Sequence, residues 1–276
     1  MQFRTPVIIS RAPFEIRPCE RMLFVGSCFA DNIGRRFAEE QFRVTVNPFG
    51  VMYNPVSIGH TVARLFPPDS GAEQAVAVPA VAVFTLGTNH VYVLKQTGEV
   101  VDNCEKRPQR LFEERSLTVG ECVEALQAAI CLLQARNPQV QVILTVSPIR
   151  YAKYGFPGSQ RSKATLLLAA AEMAGQLPDV HYFPAYEIMN DELRDYRFYA
   201  PDMLHPSEQA VEYIYERFAD AYFSDATRRF IKEWTPIREA LHHRPFHPES
   251  PEYQAFMART QARYEDLKAR YPQMEG

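Results

Sequence analysis

RMLFVGSCFADNIGRRF, residues 21–37, is the stretch from which the rest of the chain is read. Met22, Leu23, Phe24 and Val25 form an unbroken apolar run, which suits a strand covered on both faces. Gly26 permits a sharp bend and close approach of the backbone. Phe29, Ile33 and Phe37 then recur every four residues and mark one face of a helix. Asp31 falls in its first turn, where the helix dipole favours a negative charge. The stretch is therefore strand, tight turn and helix, with Ser27 at the turn. Two roles fit a serine there. It can cap the helix, a position serine favours, or it can be an exposed nucleophile whose oxyanion forms beside the free N–H groups of the first helical turn. Taken by itself, the stretch favours the cap.

Further apolar strands follow at 44–46, 81–86 (VAVFTL), 140–146 (VQVILTV) and 180–183. Helical spacing marks 56–66, 117–134, 162–176 and 206–223, the last with Pro206 in its first turn. Residues 3–10 read as a lead-in that could add an edge strand, and 67–80 as a surface loop. Residues 91–101 alternate around Gly98 as a hairpin, and a polar loop runs on from Asp102. Strands alternate with helices about five times and each is apolar throughout, which predicts an α/β fold. The expected form is a three-layer α/β/α sandwich around a mostly parallel five-stranded sheet. Sites in such sheets lie beyond the carboxyl ends of the strands. Here those ends are Gly26-Ser27, 47–50, 87–89, 147–150 and the approach to His205. Residues 225–276 read as a C-terminal helical appendage to a main domain of 1–224, with helices at 225–241 and 251–270. It would pack on the core or hold two copies together as a homodimer.

Composition narrows the function classes. The 276 residues are 46% hydrophobic and 23% charged, enough for one large core. A net charge of -3 argues against a nucleic-acid groove. No apolar run approaches the ~20 residues that span a membrane. The opening MQFRTPVIISRAPFEIRP is broken by Arg, Pro and Glu, unlike a signal peptide, so the expectation is a cytoplasmic protein. The five cysteines are odd in number and form no CxxC, which suits free thiols. Cys122 and Cys131 are expected in a helix core. His242, His243 and His247 have poor metal-ligand spacing and no cysteine partner, and no metal or cofactor is expected.

A serine nucleophile needs a base and donors for the oxyanion. Among the seven histidines, His205 stands out because Asp202 precedes it by three residues on a turn entering a helix. That carboxylate can hold Nδ1 and leave Nε2 to take the serine proton. A cap beside a surface histidine fits the same four residues.

These signals share one order with a known family. Gly26-Ser27-Cys28-Phe29-Ala30 resembles the GSCFA family, which is related to the SGNH (GDSL-type) hydrolases. The resemblance includes NPFGVMYNP (47–55), TLGTNHVY (85–92), VDNCEKRP (101–108), VSPIR (146–150), SKA (162–164) and YFPAYEIMNDELRDYRFYAPDMLHPS (182–207). It covers residues 1–225 and leaves the tail outside. It implies a flavodoxin-like SGNH sandwich and a serine esterase that removes a small acyl group from a carbohydrate or other alcohol. Ser27 would be the nucleophile, with Asp202 and His205 completing the triad. The N–H groups of Ser27 and Gly50 and the Asn89 amide would form the oxyanion hole. An O-acyltransferase, or a non-catalytic binding module, could carry the same residues.

The chain departs from the SGNH pattern in two places. Ser27 follows Gly26 with no Asp between them, and His90 follows Asn89 where Asp is usual. Cys28 is an alternative nucleophile, since a helix N-terminus stabilises a thiolate, although it is expected to point into the first turn. Asn47, Asn54, Asn103 and Arg150 could line the pocket or brace loops. Arg194, Asp195 and Arg197 are expected to form an ion-pair network under the loop that carries Asp202. The implied partner is a small-molecule or carbohydrate ester, with no nucleic acid and no membrane.

Overall fold

The computed structural model describes residues 4–67 and 77–274. The chain opens with β1 (Arg21–Gly26), α1 (Cys28–Glu39), β2 (Arg43–Val46), α2 (Pro55–Leu65) and β3 (Val81–Leu86). A small antiparallel insertion follows, made of β4 (His90–Leu94), β5 (Val100–Val101) and β6 (Phe112–Ser116). Then come α3 (Val119–Arg136), β7 (Gln141–Val146), α4 (Gly155–Gln176), β8 (Val180–Tyr182) and a single turn, α5 (Ala185–Glu187). The last helices are α6 (Glu208–Tyr222), α7 (Asp225–His242) and α8 (Pro251–Arg270).

The main sheet runs β2-β1-β3-β7-β8 and every neighbouring pair is parallel. Its strands send alternate residues to opposite layers, as a period of two requires. Met22, Phe24, Val81, Val83 and Ile143 pack with residues of α1 and α6, including Phe29, Ile33, Ile214 and Phe218. Leu23, Val25, Ala82, Phe84 and Leu144 pack with α2, α3 and α4 through Ile58, Val62, Leu126 and Leu166. Three layers result. Phe37 is the hub of the first, with its ring 5.0–5.7 Å from those of Phe24, Phe42, Tyr215, Phe218 and Phe223.

The tail docks on the C-terminal end of α1. Phe230, Trp234 and Ile237 of α7 pack with Leu267 of α8 and with Cys19 and Met274. The Trp234 indole N–H donates to the Glu39 carbonyl at 2.7 Å. The buried Glu40 carboxylate is paired with Arg36 of α1 and Arg238 of α7.

Several expectations change in detail. Residues 5–10 form no strand; Ile16 makes an isolated bridge to Phe223 instead. The expected loop at 67–80 lies mostly outside the described residues. The polar loop after Asp102 contains β6, whose sequence Phe-Glu-Glu-Arg-Ser shows only its first side chain to the core. Pro206 precedes the cap Ser207 of α6, because a 3.2 Å bond from the Ala210 N–H to the Ser207 hydroxyl starts the helix there. Cys122 is buried but Cys131 is exposed, since α3 shows that face to solvent. Among the described residues no helix is long and apolar enough to cross a membrane.

The strand order reverses beside β1: the chain leaves it to one side for β2 and returns on the other as β3. A crevice opens at that point, beyond the carboxyl ends of the two strands. Gly26 ends β1 there at φ +144, and a Cβ on it would stand 2.2 Å from the Thr85 carbonyl oxygen of β3. Gly26→Ala therefore meets both strain and a backbone clash. It is expected to lower Tm by on the order of 10 °C, or to leave no soluble protein. A thermal melt followed by circular dichroism that matched wild type would contradict this packing.

Candidate active site

Ser27 follows Gly26 directly and caps α1. Its hydroxyl accepts the Phe29 N–H at 3.3 Å and shares a hydrogen bond with the Thr85 hydroxyl at 3.1 Å. The side chain is buried at the base of a cavity of about 290 Å³. Around it stand Cys28, Tyr53, Ile149, Tyr151, Lys163 and His205.

His205 arrives on the loop before α6. Asp202 holds it, with Oδ2 2.5 Å from Nδ1. The other oxygen, Oδ1, accepts the N–H groups of Leu204 (2.9 Å) and His205 (3.0 Å). These bonds, the His205 N–H first, then the Leu204 N–H and the imidazole, pull the Asp202 carboxyl down to about 2. The loop is fixed to the sheet end: the Arg150 N–H donates to the Leu204 carbonyl at 3.0 Å and its guanidinium to the Met203 carbonyl at 3.1 Å. Ser27 and His205 thus face one cavity from segments nearly the whole domain apart. No direct hydrogen bond joins them among the described residues; the serine hydroxyl rests on Thr85.

The three expected oxyanion donors are engaged elsewhere. The Ser27 N–H bonds the Thr85 carbonyl at 3.0 Å. The Gly50 N–H closes a turn on the Asn47 carbonyl at 2.8 Å, at an exposed site off the cavity wall. The Asn89 side-chain amide donates to the Leu117 carbonyl at 2.7 Å, and its N–H to the Ser162 hydroxyl at 2.9 Å. Asn89 therefore ties the insertion to α3 and α4 and does not line the cavity.

The other polar residues divide the same way. Asn47 braces the turn: its Oδ1 accepts the Gly26 N–H at 2.8 Å and its amide donates to Asp31 at 2.6 Å. Asn54 caps α2 through the Ser57 N–H at 3.0 Å. Asn103 accepts the Glu105 N–H at 2.5 Å. Of the four, Arg150 alone lines the cavity beside Ser27. Arg197 and Asp195 pair at 3.4 Å; Arg194 joins no ion pair among the described residues. Cys28 does not turn into the helix: it lines the cavity with its Sγ 3.6 Å from the Tyr53 hydroxyl.

Lys163 was missed as a site residue. It lies in the run Ser162-Lys163-Ala164, on a buried face of α4 whose neighbours are Ser159 and Leu166. Its ammonium donates to the Gly87 and Ser147 carbonyls, both at 2.8 Å, and it reaches the cavity from below the strand ends. Among the described residues no carboxylate pairs with it. Burial alone lowers its pKa to about 7. The signals in the sequence are a lysine inside an Ala- and Leu-rich helix and its place in the SKA run that carries the family resemblance.

Lys163 makes stability depend on pH in a defined direction. In the folded protein it loses its proton near 7, and in the unfolded chain near the ordinary lysine value of about 10.4. Between those values the unfolded chain binds more protons, so stability from this group rises with pH. Compared by Tm, the difference between wild type and Lys163→Met is expected to move in favour of wild type from pH 7 to pH 9. Buried thiols and phenols titrate alike in both proteins and cancel. A difference that stays flat with pH would contradict a neutral buried lysine.

Comparison with solved structures finds similar chains at low identity. A catalytic variant of Axe2, an acetylxylan esterase from Geobacillus stearothermophilus, is 14% identical and aligns over 76% of this chain and 98% of its own, with a TM-score of 0.48. A carbohydrate esterase family 3 structure from Talaromyces cellulolyticus is 9% identical over 78% and 99%, with a TM-score of 0.41. LAE5, an alpha/beta hydrolase enzyme from the metagenome of Lake Arreo, Spain, is 15% identical over 75% and 96%, with a TM-score of 0.45. These likenesses are of fold. Among curated proteins none matches the chain. The tail, expected to lie outside the GSCFA resemblance, matches the model described as GSCFA domain protein, C-terminal domain, over residues 234–275. With the GSCFA family model matching residues 21–78 and 69–218, the chain belongs to the GSCFA family.

Proposed function

We propose that this protein is a serine esterase that removes a small acyl group from an alcohol. One observation carries the reading: a capping serine at the switch point and an imidazole already steered by a carboxylate line the same cavity. In the reaction the Ser27 hydroxyl leaves Thr85 and attacks the acyl carbon. Its proton passes to Nε2 of His205, because Asp202 occupies Nδ1. The alcohol leaves with that proton, and water, activated by the same imidazole, releases the acid. Asp202, its carboxyl held well below the usual range, stays charged and keeps its hold on Nδ1 of the ring.

The oxyanion falls to groups other than those first expected. The Cys28 N–H is the first of α1 and has no helical carbonyl to bond, so it is available to donate to the developing charge with the dipole behind it. Lys163, held on its two carbonyls, adds a third proton when charged.

Cys28 is the second reading, favoured by its place on the cavity wall. Hydrolysis of p-nitrophenyl acetate separates the two. Ser27→Ala is expected to lower kcat by about a thousandfold or more, and Asp202→Asn by about a hundredfold or more. Cys28→Ala is expected to keep most of the activity, and a fluorophosphonate is expected to label Ser27. Activity that survives Ser27→Ala and vanishes in Cys28→Ala moves the nucleophile to sulfur. No turnover and no labelling in wild type overturns the esterase reading.

A further inference from the structure

The cavity beside Ser27 carries one sign of charge. Arg150, Lys153 and Lys163 line it, and among the described residues no aspartate or glutamate does. Lys153 is matched by Glu114, 2.8 Å away and off the cavity wall. Arg150 and Lys163 make no ion pair among the described residues. Their side chains donate to backbone carbonyls instead: Arg150 to Met203 at 3.1 Å, Lys163 to Gly87 and Ser147, both at 2.8 Å. The adjoining cavity of about 430 Å³ is different, since there Asp102 pairs with Arg64 and Arg107 with Glu105. A concave site lined by cations of one sign concentrates anions.

Lys163 has a part in the reaction proposed above and Arg150 has none. Bracing the His205 loop does not use Arg150 up. Its main-chain N–H already holds that loop at the Leu204 carbonyl, and the bond to Met203 takes a single N–H of the guanidinium. The other guanidinium N–H groups meet no acceptor among the described residues. The group is nevertheless held in place. Its central carbon lies 4.2 Å from the ring centre of Phe156 and 5.5 Å from those of Tyr196 and Tyr199. Rings position a guanidinium without supplying an oxygen acceptor, so its in-plane N–H groups are left for a ligand. Such a fork fits the oxygens of a carboxylate or a phosphate.

We propose that Arg150 is an anion subsite and that the alcohol part of the substrate carries a carboxylate or phosphate group. The side of the scissile bond follows from the loop. His205 must give its proton to the leaving oxygen, so the alcohol lies on the imidazole's side. Arg150 is tied to the two residues just before His205, whereas the acyl oxygen turns toward the start of α1. The assignment rests on the esterase reading given above, and its test separates the two.

Two matched pairs of acetate esters are assayed by pH-stat: 4-acetoxybutanoate against 4-acetoxybutanamide, and 2-acetoxyethyl phosphate against its neutral dimethyl ester. Wild-type kcat/KM is expected to favour the anionic member of at least one pair by on the order of tenfold, the worth of one charge-assisted hydrogen bond. The pair that shows it tells carboxylate from phosphate. Arg150→Gln is expected to bring that ratio close to one through KM. A general loss from a loosened His205 loop lowers both members and cancels in the ratio. Arg150→Lys keeps the charge but loses the fork; its ratio is expected to fall in between, and it stands in where Arg150→Gln yields no soluble protein. No preference in wild type for either anion, or a preference that the variants leave unchanged, overturns the subsite. Should wild type hydrolyse none of the four, the esterase reading falls, and saturation-transfer NMR with the two anionic esters decides the anion site alone. Transfer that Arg150→Gln or Arg150→Lys weakens sustains it; no transfer with wild type, or equal transfer in the variants, overturns it.

Discussion

The contact between Gly26 and the Thr85 carbonyl controls everything built at the sheet end. A side chain at residue 26 would stand 2.2 Å from that oxygen, so β1 and β3 approach there closely only with glycine between them. The same carbonyl accepts the Ser27 N–H at 3.0 Å, and the Thr85 hydroxyl shares a bond with the serine hydroxyl at 3.1 Å. The last residue but one of β3 thus sets both the backbone and the side chain of the proposed nucleophile. Asn47 completes the clamp from β2 by accepting the Gly26 N–H. Three adjacent strands determine where one hydroxyl sits, and none of the three belongs to a mobile loop.

The tail bears on the site through α1. That helix begins at the serine and ends at Glu39 and Glu40, where α7 is attached by Trp234 and Arg238. A carboxylate as buried as Glu40 is costly unless paired. Here it has Arg36 and Arg238 around it, and Arg36 also binds Glu212 of α6 at 2.6 Å. The network fastens α1, α6 and α7 at one end of the layer. α1 carries Ser27 at its start and α6 follows the His205 loop, so a shift of either helix would change how the two side chains face each other. The matching of residues 234–275 to a family model of its own fits a tail that belongs with the fold.

Much of this was legible in the sequence because continuous apolar strands and helices with four-residue spacing leave strong patterns. β1, β3, β7 and α1 are such elements, and their order placed the crevice before any distance was known. β6 was not legible: an edge strand with four exposed polar side chains has no apolar signal. Ser27, Asp202 and His205 were recognisable as candidates because the roles expected of them depend on side-chain chemistry and short spacing. The oxyanion donors were not, because a donor's value depends on which acceptor it meets. Gly50 has φ +90 in a turn that sends its N–H to Asn47, and Asn89 faces Leu117; neither orientation can be read from residue type. Lys163 escaped for the opposite reason, since a lysine on a helix is normally solvated and only the packing of α4 against the strand ends buries it.

That burial also has a cause in the backbone at this place in the fold. The carbonyls of Gly87 and Ser147, one residue past β3 and β7, lie beyond the end of the ladder just where α4 covers them. Buried acceptors left unpaired are expensive. Gly87 and Ser147 point theirs at one amine, which satisfies both at 2.8 Å. A hydrophobic residue would leave two orphans and a carboxylate would repel them, so the packing demands a long donor. Its nitrogen, once there, lies in the wall of the cavity that holds Ser27. Among the described residues no carboxylate neutralises it, so the amine keeps whatever charge the pocket contents favour, and in the proposed reaction a negative charge forming on a bound acyl group would favour the proton staying. Under the proposed reaction, the same residue that repairs the sheet end would make the cavity more hospitable to an oxyanion than to the neutral ester before it.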